Sequence, residues 1–215
     1  VSLFPFLKAD WGLTDTQCGL LVAAVSWSIV LFTFPVSVLV DRWSRRKSIA
    51  IMCTLWSLAT AACAFTTQFY QLFVARVFIG LGEAGYAPGG TAMISAVFPE
   101  KSRARIMGLW NASIPLGAAL GIALGAIIAD KYGWRHAFGI VALPGLLIAA
   151  LFLWTKDYKN VDLVQTVGIG EESPAKSLMT PGDVAREFAR TPSLILTYLG
   201  FAGCLFATGA MLAWL

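Results

Sequence analysis

Two opposite charges, Arg76 and Glu83, sit in an otherwise apolar tract that runs from about 70 to 98. They are seven positions apart, close to two helical turns, so a helix carries both on one face. Counting about 1.5 Å per residue from Gln71 puts Arg76 roughly 8 Å and Glu83 roughly 18 Å along that helix. In a hydrocarbon core about 30 Å thick, Glu83 falls near the middle. A carboxyl at that depth takes up a proton or pairs with a cation, and a group that alternates between the two is a proton carrier. The plainer alternative is a Glu fixed in a structural polar network. Arg76 is the one full positive charge inside an apolar run. It can hold an anionic head group or pair with an acid from another helix. Tyr86, one turn beyond Glu83, can donate a hydrogen bond, and Asn111 reads as a polar cavity residue in the next long apolar tract.

The stretch GLGEAGYAPGG (80–90) contains G-x-G-x-x-G in Gly80, Gly82 and Gly85, with Glu100 some distance on. Read alone, that is a dinucleotide-binding turn. The turn requires a preceding strand and a soluble βαβ unit, whereas these glycines lie inside an apolar helix, so no cofactor is expected. Gly80 and Gly82 instead allow close helix approach. Pro88 lacks an N–H and frees the carbonyl near Ala84. A Gly/Pro-interrupted helix near mid-membrane points to a transporter's binding site. A second small-residue stripe, Gly117, Gly121 and Gly125, spaced by four and preceded by Pro115, is expected to serve helix packing and gating.

Composition makes a membrane the expected surroundings. Of 215 residues, 58% are hydrophobic and 13% charged, against about 25% charged in ordinary soluble domains. Charge-free runs occupy 16–40, 48–75, 106–129, 137–155 and 191–215, each near or above the roughly 18 residues of a spanning helix. The expected elements are a helix tail at 1–7, full spans near 17–40, 48–67, 70–98, 106–129 and 136–155, and another from about 193. The loops 41–47, 99–105 and 156–192 hold twelve Lys and Arg, and the opposite loops hold Lys8, Lys131 and Arg135. This asymmetry places the first set in the cytoplasm. The net charge of +4 is thus a topology signal and calls for no nucleic acid. Four scattered cysteines and one histidine, His136, form no metal-ligand pattern.

The sequence SVLVDRWSRRKS (37–48) joins the second and third helices. It resembles the loop signature of the major facilitator superfamily, G-x-x-x-D-R-x-G-R-R. Asp41, Arg42, Arg45 and Arg46 match, and Ser37 and Ser44 replace its two glycines. Asp41 and Arg45, four apart, can pair across one helical turn. With RVFIGLGEAGYAPGG, FPEKSRAR, GWRHAF and LTDTQCGLL, the chain is most similar to the spinster-like branch. The anion:cation symporter branch has a similar GEAGYAP helix. The resemblance implies an all-α, twelve-helix bundle in two halves, acting as a monomer in the bilayer. It implies that the 41–46 motif braces the halves during the transport cycle, and that an acid important for coupling lies on helix 1, before Val1. The chain would then hold an N-terminal half at 1–155, a cytoplasmic connector at 156–192 with a short amphipathic helix near 180–190, and helix 7 at 193–215. The activity implied is proton-coupled secondary transport by alternating access in a cell membrane of bacterial inner-membrane type. Its substrate would be a lipid-like organic anion or, alternatively, a small organic or sugar acid.

Overall fold

The computed structural model describes residues 2–155 and, beyond them, 186, 190–193, 195–196, 199–200 and 202–203; at 41, 42 and 45 it describes the backbone alone. The chain divides into two units, Val1–Val167 and Gly168–Leu215. The short helix expected near 180–190 and the span expected from 193 lie largely outside the described residues.

The described residues of the first unit form seven helices: α1 (Phe4–Trp11), α2 (Asp15–Arg42), α3 (Arg45–Cys63), α4 (Phe69–Ala84), α5 (Tyr86–Val97), α6 (Glu100–Tyr132) and α7 (Trp134–Phe152). Among the described residues there is no strand. Local sequence explains the boundaries. Gly12, at φ 63°, ends α1 in the left-handed conformation that glycine adopts without strain. Thr14 and Gln17 form a reciprocal capping box that starts α2. The Ser44 side chain accepts from the Lys47 N–H at 3.1 Å and caps α3. Pro99 stands at the N-cap of α6, and Gly133, at φ 86°, turns the chain from α6 into α7.

Two expectations are corrected. The helix tail does not end at Leu7 but runs to Trp11, because Asp10 is held by Trp134 Nε1 at 2.8 Å and Leu7 is fully buried. Asp41 and Arg45 do not share a helical turn: α2 ends at Arg42, and extended backbone at Trp43 and Ser44 separates the helices. By length and composition, three described helices are able to cross a membrane, over Asp15–Val40, Glu100–Tyr132 and Trp134–Phe152. The third span is 19 residues long and opens with Arg45, Arg46 and Lys47, while the fourth is divided into α4 and α5 at Gly85.

α2 packs along α4, α3 packs against both α4 and α7, and α6 lies against α7. One apolar cluster, including Leu7, Leu21, Cys63, Leu72, Trp134 and Phe138, ties α1 to the facing ends of α2, α3, α4 and α7. A second, of Val36, Val40 and Met52, closes the other end. Glycine sets the helix spacing. A Cβ on Gly82 would stand 2.7 Å from the Trp56 nitrogen and 2.9 Å from the Met52 carbonyl oxygen, and one on Gly80 would meet the Val25 carbonyl and Ser28. Gly80 therefore admits α2 and Gly82 admits α3 to the same segment of α4.

The outside is apolar. Trp27, Leu31, Leu116, Leu120 and Leu143 are each more than 60% exposed. A soluble domain does not leave so much contiguous apolar surface open to water. The surface suits hydrocarbon, with backbone polar groups paired largely within the helices.

Candidate functional site

The fourth span is where charge, helix break and close packing meet. α4 carries Arg76 and Glu83 and stops at Ala84; α5 resumes at Tyr86. Pro88 has no N–H for the Ala84 carbonyl, so the helical ladder loses a rung at this point. It recovers at once, since the Gly89 N–H donates to the Gly85 carbonyl at 3.1 Å. The break is thus a local loosening of one span.

Arg76 lies over the Phe138 ring of α7, its guanidinium carbon 5.4 Å from the ring centre. Its Nε is buried with no hydrogen-bond partner among the described residues. A guanidinium has five N–H donors and no acceptor, so a buried, unpaired Nε–H is open to an acceptor such as a carboxylate or phosphate oxygen. Among the described residues no ion pair joins Glu83 to Arg76. At about 1.5 Å per residue, seven positions separate their Cα atoms by roughly 10 Å along the axis. The two groups lie along one strip of α4.

Tyr86 is held in an aromatic stack. Its ring lies against Trp110 of α6 at 5.2 Å and 26°, and meets Trp56 of α3 edge-on at 4.9 Å and 63°. Gly90 makes room for Trp110, whose ring would be about 2.5 Å from a Cβ placed there. Trp56 and Trp110 belong to this neighbourhood and carried no signal in the sequence, where each is one aromatic residue in a long apolar run. Asn111 follows Trp110 on α6 but is exposed, and its Nδ2 donates to its own helix at the Met107 carbonyl, 2.9 Å away. No described hydrogen bond joins Asn111 to Arg76, Glu83 or Tyr86. Four residues on, Pro115 deprives the Asn111 carbonyl of its usual partner within the unbroken α6.

Of the stripe on α6, Gly117 and Gly121 have nothing within 4 Å of a Cβ among the described residues, and Gly125 has Ser2 Oγ at 3.6 Å. In the loop motif, Arg46 reaches across the bundle, its Nη1 donating to the Thr155 carbonyl at 3.2 Å just past the end of α7. The side chains of Asp41, Arg42 and Arg45 lie outside the described residues. A further cluster that the sequence did not single out joins the end of α1 to the start of α7. Asp10 accepts from Trp134 Nε1 at 2.8 Å and faces Arg135 at 3.5 Å. Arg135 in turn lies 4.3 Å from the Trp134 ring centre and donates to the Thr66 carbonyl at 3.3 Å.

Long apolar helices with a charged strip inside them, and an apolar outer surface, define a multi-pass membrane protein. The whole chain, residues 1–215, matches the Major Facilitator Superfamily profile, and the chain belongs to that family. Among curated relatives it is 30% identical to a hexuronate transporter of Bacillus subtilis over 83% of this chain and 41% of that protein. It is 26% identical to protein spinster homolog 1 of Homo sapiens over 99% of this chain and 40% of that protein. A probable L-galactonate transporter of Escherichia coli is 27% identical over 97% of this chain and 47% of its own length. The chain thus spans less than half the length of these relatives. Among solved structures, a bacterial homolog of the human lysosomal transporter spinster, in an inward-facing and unoccupied conformation, is 26% identical with a TM-score of 0.65, covering 87% of this chain and 44% of its own. The inward-facing and occupied form has 27% identity and a TM-score of 0.62, covering 73% and 40%.

Proposed function

We propose that this chain belongs to a proton-coupled secondary transporter of organic anions that works by alternating access. One observation carries the reading: the buried Arg76 Nε, without a hydrogen-bond partner among the described residues, on the same face of a broken helix as Glu83. Arg76 binds the anionic head of the substrate, Glu83 carries the coupling proton, and Tyr86 with its two tryptophans positions the strip between them. The Gly/Pro break at 85–88 lets this part of the span adjust between states. Asn111 serves as a polar cavity residue on α6. The 41–46 motif, with Arg46 anchored at the end of α7, acts on the balance of states.

The substrate is an amphipathic, lipid-like organic anion. Support comes from the resemblance to the spinster-like branch: a human spinster homolog matches 99% of this chain, and a bacterial homolog of spinster is among the similar solved structures. A second reading, a sugar acid, is favoured by the hexuronate and probable L-galactonate transporters among the relatives. Both readings need a cation for the carboxylate or phosphate, and Arg76 supplies it. The protein acts as a monomer in a bacterial inner membrane, with 41–47, 99–105 and 156–192 on the cytoplasmic side. Residues 1–155 form the N-terminal half, 156–192 the connector and 193–215 the start of the second half.

The test is uptake into vesicles containing the full-length protein, with an imposed pH gradient. A radiolabelled lysophospholipid and a hexuronate are offered in parallel. Gradient-dependent accumulation of the first supports the lead reading, and of the second alone the sugar-acid reading. Accumulation of both or either without any response to the gradient would remove proton coupling.

A further inference from the structure

We infer that Asp10, Trp134 and Phe138 form a positioning chain that holds the Arg76 guanidinium ready for an anion. The inference rests on the reading of Arg76 as the anion-binding group. The chain starts at the end of α1, runs along one face of α7 and ends on α4. Trp134 and Phe138 are four apart, so α7 carries them on one face. Their rings meet edge-on, with centres 6.0 Å apart and planes at 90°. Phe138 in turn presents its ring to Arg76, whose guanidinium carbon is 5.4 Å from the ring centre, within reach of a cation–π contact. The Arg76 Nε has no hydrogen-bond partner among the described residues, so the ring, rather than a bond at Nε, orients the group.

The far end of the chain keeps Trp134 still. An indole N–H is a donor only, and Trp134 is buried, so without a partner its Nε1 would be a buried orphan. Asp10 supplies that partner at 2.8 Å. The Trp11 ring stands edge-on to Trp134 at 5.3 Å and 88°, and Arg135 lies over the indole at 4.3 Å. Arg135 is itself tied to the α3–α4 turn at the Thr66 carbonyl. The Asp10–Arg135 contact is 3.5 Å long between two partly exposed side chains and is worth little, so the bond to Nε1 is what Asp10 contributes. Cohesion alone needs only apolar contacts, as Leu7, Leu21 and Leu72 provide in the same cluster. A directed hydrogen bond, an edge-on ring pair and a ring under a guanidinium, in series, also set an orientation. An anion site gains affinity when its cation is ordered before the anion arrives.

The experiment uses the full-length protein in vesicles and measures initial rates of gradient-driven uptake. The probe is whichever of the radiolabelled lysophospholipid and hexuronate accumulates. Replacing Phe138 with a trifluorinated phenylalanine nearly keeps the ring's shape and withdraws the negative charge of its face. It is expected to raise KM at least about threefold, the size of one cation–π contact, with kcat little changed, as for a group that acts on binding. Asp10→Ala is expected to raise KM in the same way, with Trp134→Phe in its place if that variant does not fold. Asp10→Asn still offers an oxygen to Nε1 and is expected to recover most of the wild-type value. In a Phe138→Leu background, Asp10→Ala is expected to add nothing, because the chain is already cut. Arg76→Ala is measured beside them. If neither probe accumulates, or if Arg76→Ala keeps the wild-type KM, the anion-site reading falls and this inference with it. If Arg76→Ala raises KM while the fluorinated ring leaves it unchanged or lowers it, the positioning chain alone is overturned. Effects of Asp10→Ala and Phe138→Leu that multiply would overturn it as well.

Discussion

At the residue scale, the two charges were legible because period and depth are both read from spacing alone. Seven positions place Arg76 and Glu83 on one face whatever surrounds them. Their neighbours were not legible. The Phe138 ring under Arg76 and the Trp56 and Trp110 rings around Tyr86 come from three other helices, and no pattern within one helix encodes a tertiary contact. Asn111 shows the converse. A polar residue in an apolar run suggests a cavity, yet its side chain bonds its own backbone, the common resort of a polar group in a helix. Arg76 gives the sharpest prediction at this scale. Arg76→Ala removes the proposed partner of the anion, so substrate binding measured calorimetrically in detergent is expected to weaken by at least about tenfold, or about 1.4 kcal/mol. Arg76→Lys keeps the charge but loses the planar fork, and is expected to fall between the wild type and Arg76→Ala. Equal affinity in all three would remove Arg76 from the binding site.

At the element scale, the division of the fourth span at Gly85 follows from Pro88 and was open to reading in advance. The extent of α1 was not, because Lys8, Ala9 and Asp10 resemble a loop until Trp134 is seen to bind Asp10. The break between Arg42 and Arg45 was likewise hidden: four-residue spacing pairs charges only where the helix continues. Close packing on α4 can be tested by adding one methyl group. Gly82→Ala drives a Cβ against the backbone at Trp56 and Met52, which cannot yield as a side-chain tip can. It is expected to cost about 1–3 kcal/mol. Gly139→Ala in α7 meets nothing within 4 Å among the described residues and is expected to be neutral or to stabilise by up to about 1 kcal/mol. Thermal unfolding of the two variants in the same detergent checks the contrast, and equal melting temperatures would show that α3 and α4 are not held at this spacing.

At the scale of the whole molecule, composition and the runs of uncharged residues were enough for a multi-pass helical protein, and the 37–48 loop with GLGEAGYAPGG was enough for the family. Orientation rests on loop charge alone and has its own test. Lys47 is exposed at the start of α3, whereas Ser44 is better left in place because it caps the helix. A single cysteine introduced as Lys47→Cys in a background without Cys18, Cys53, Cys63 and Cys204 is expected to resist a membrane-impermeant maleimide in intact cells and to react after lysis. Ready reaction in intact cells would invert the topology. The central claim, that the charged strip couples a proton to an anion, comes down to Glu83. Glu83→Gln keeps the shape and cannot release a proton. In vesicles with an imposed pH gradient, the variant is expected to lose uphill accumulation of substrate while retaining exchange of substrate for substrate, which moves no net proton. Full gradient-driven accumulation by Glu83→Gln would contradict the account and leave Glu83 a structural group.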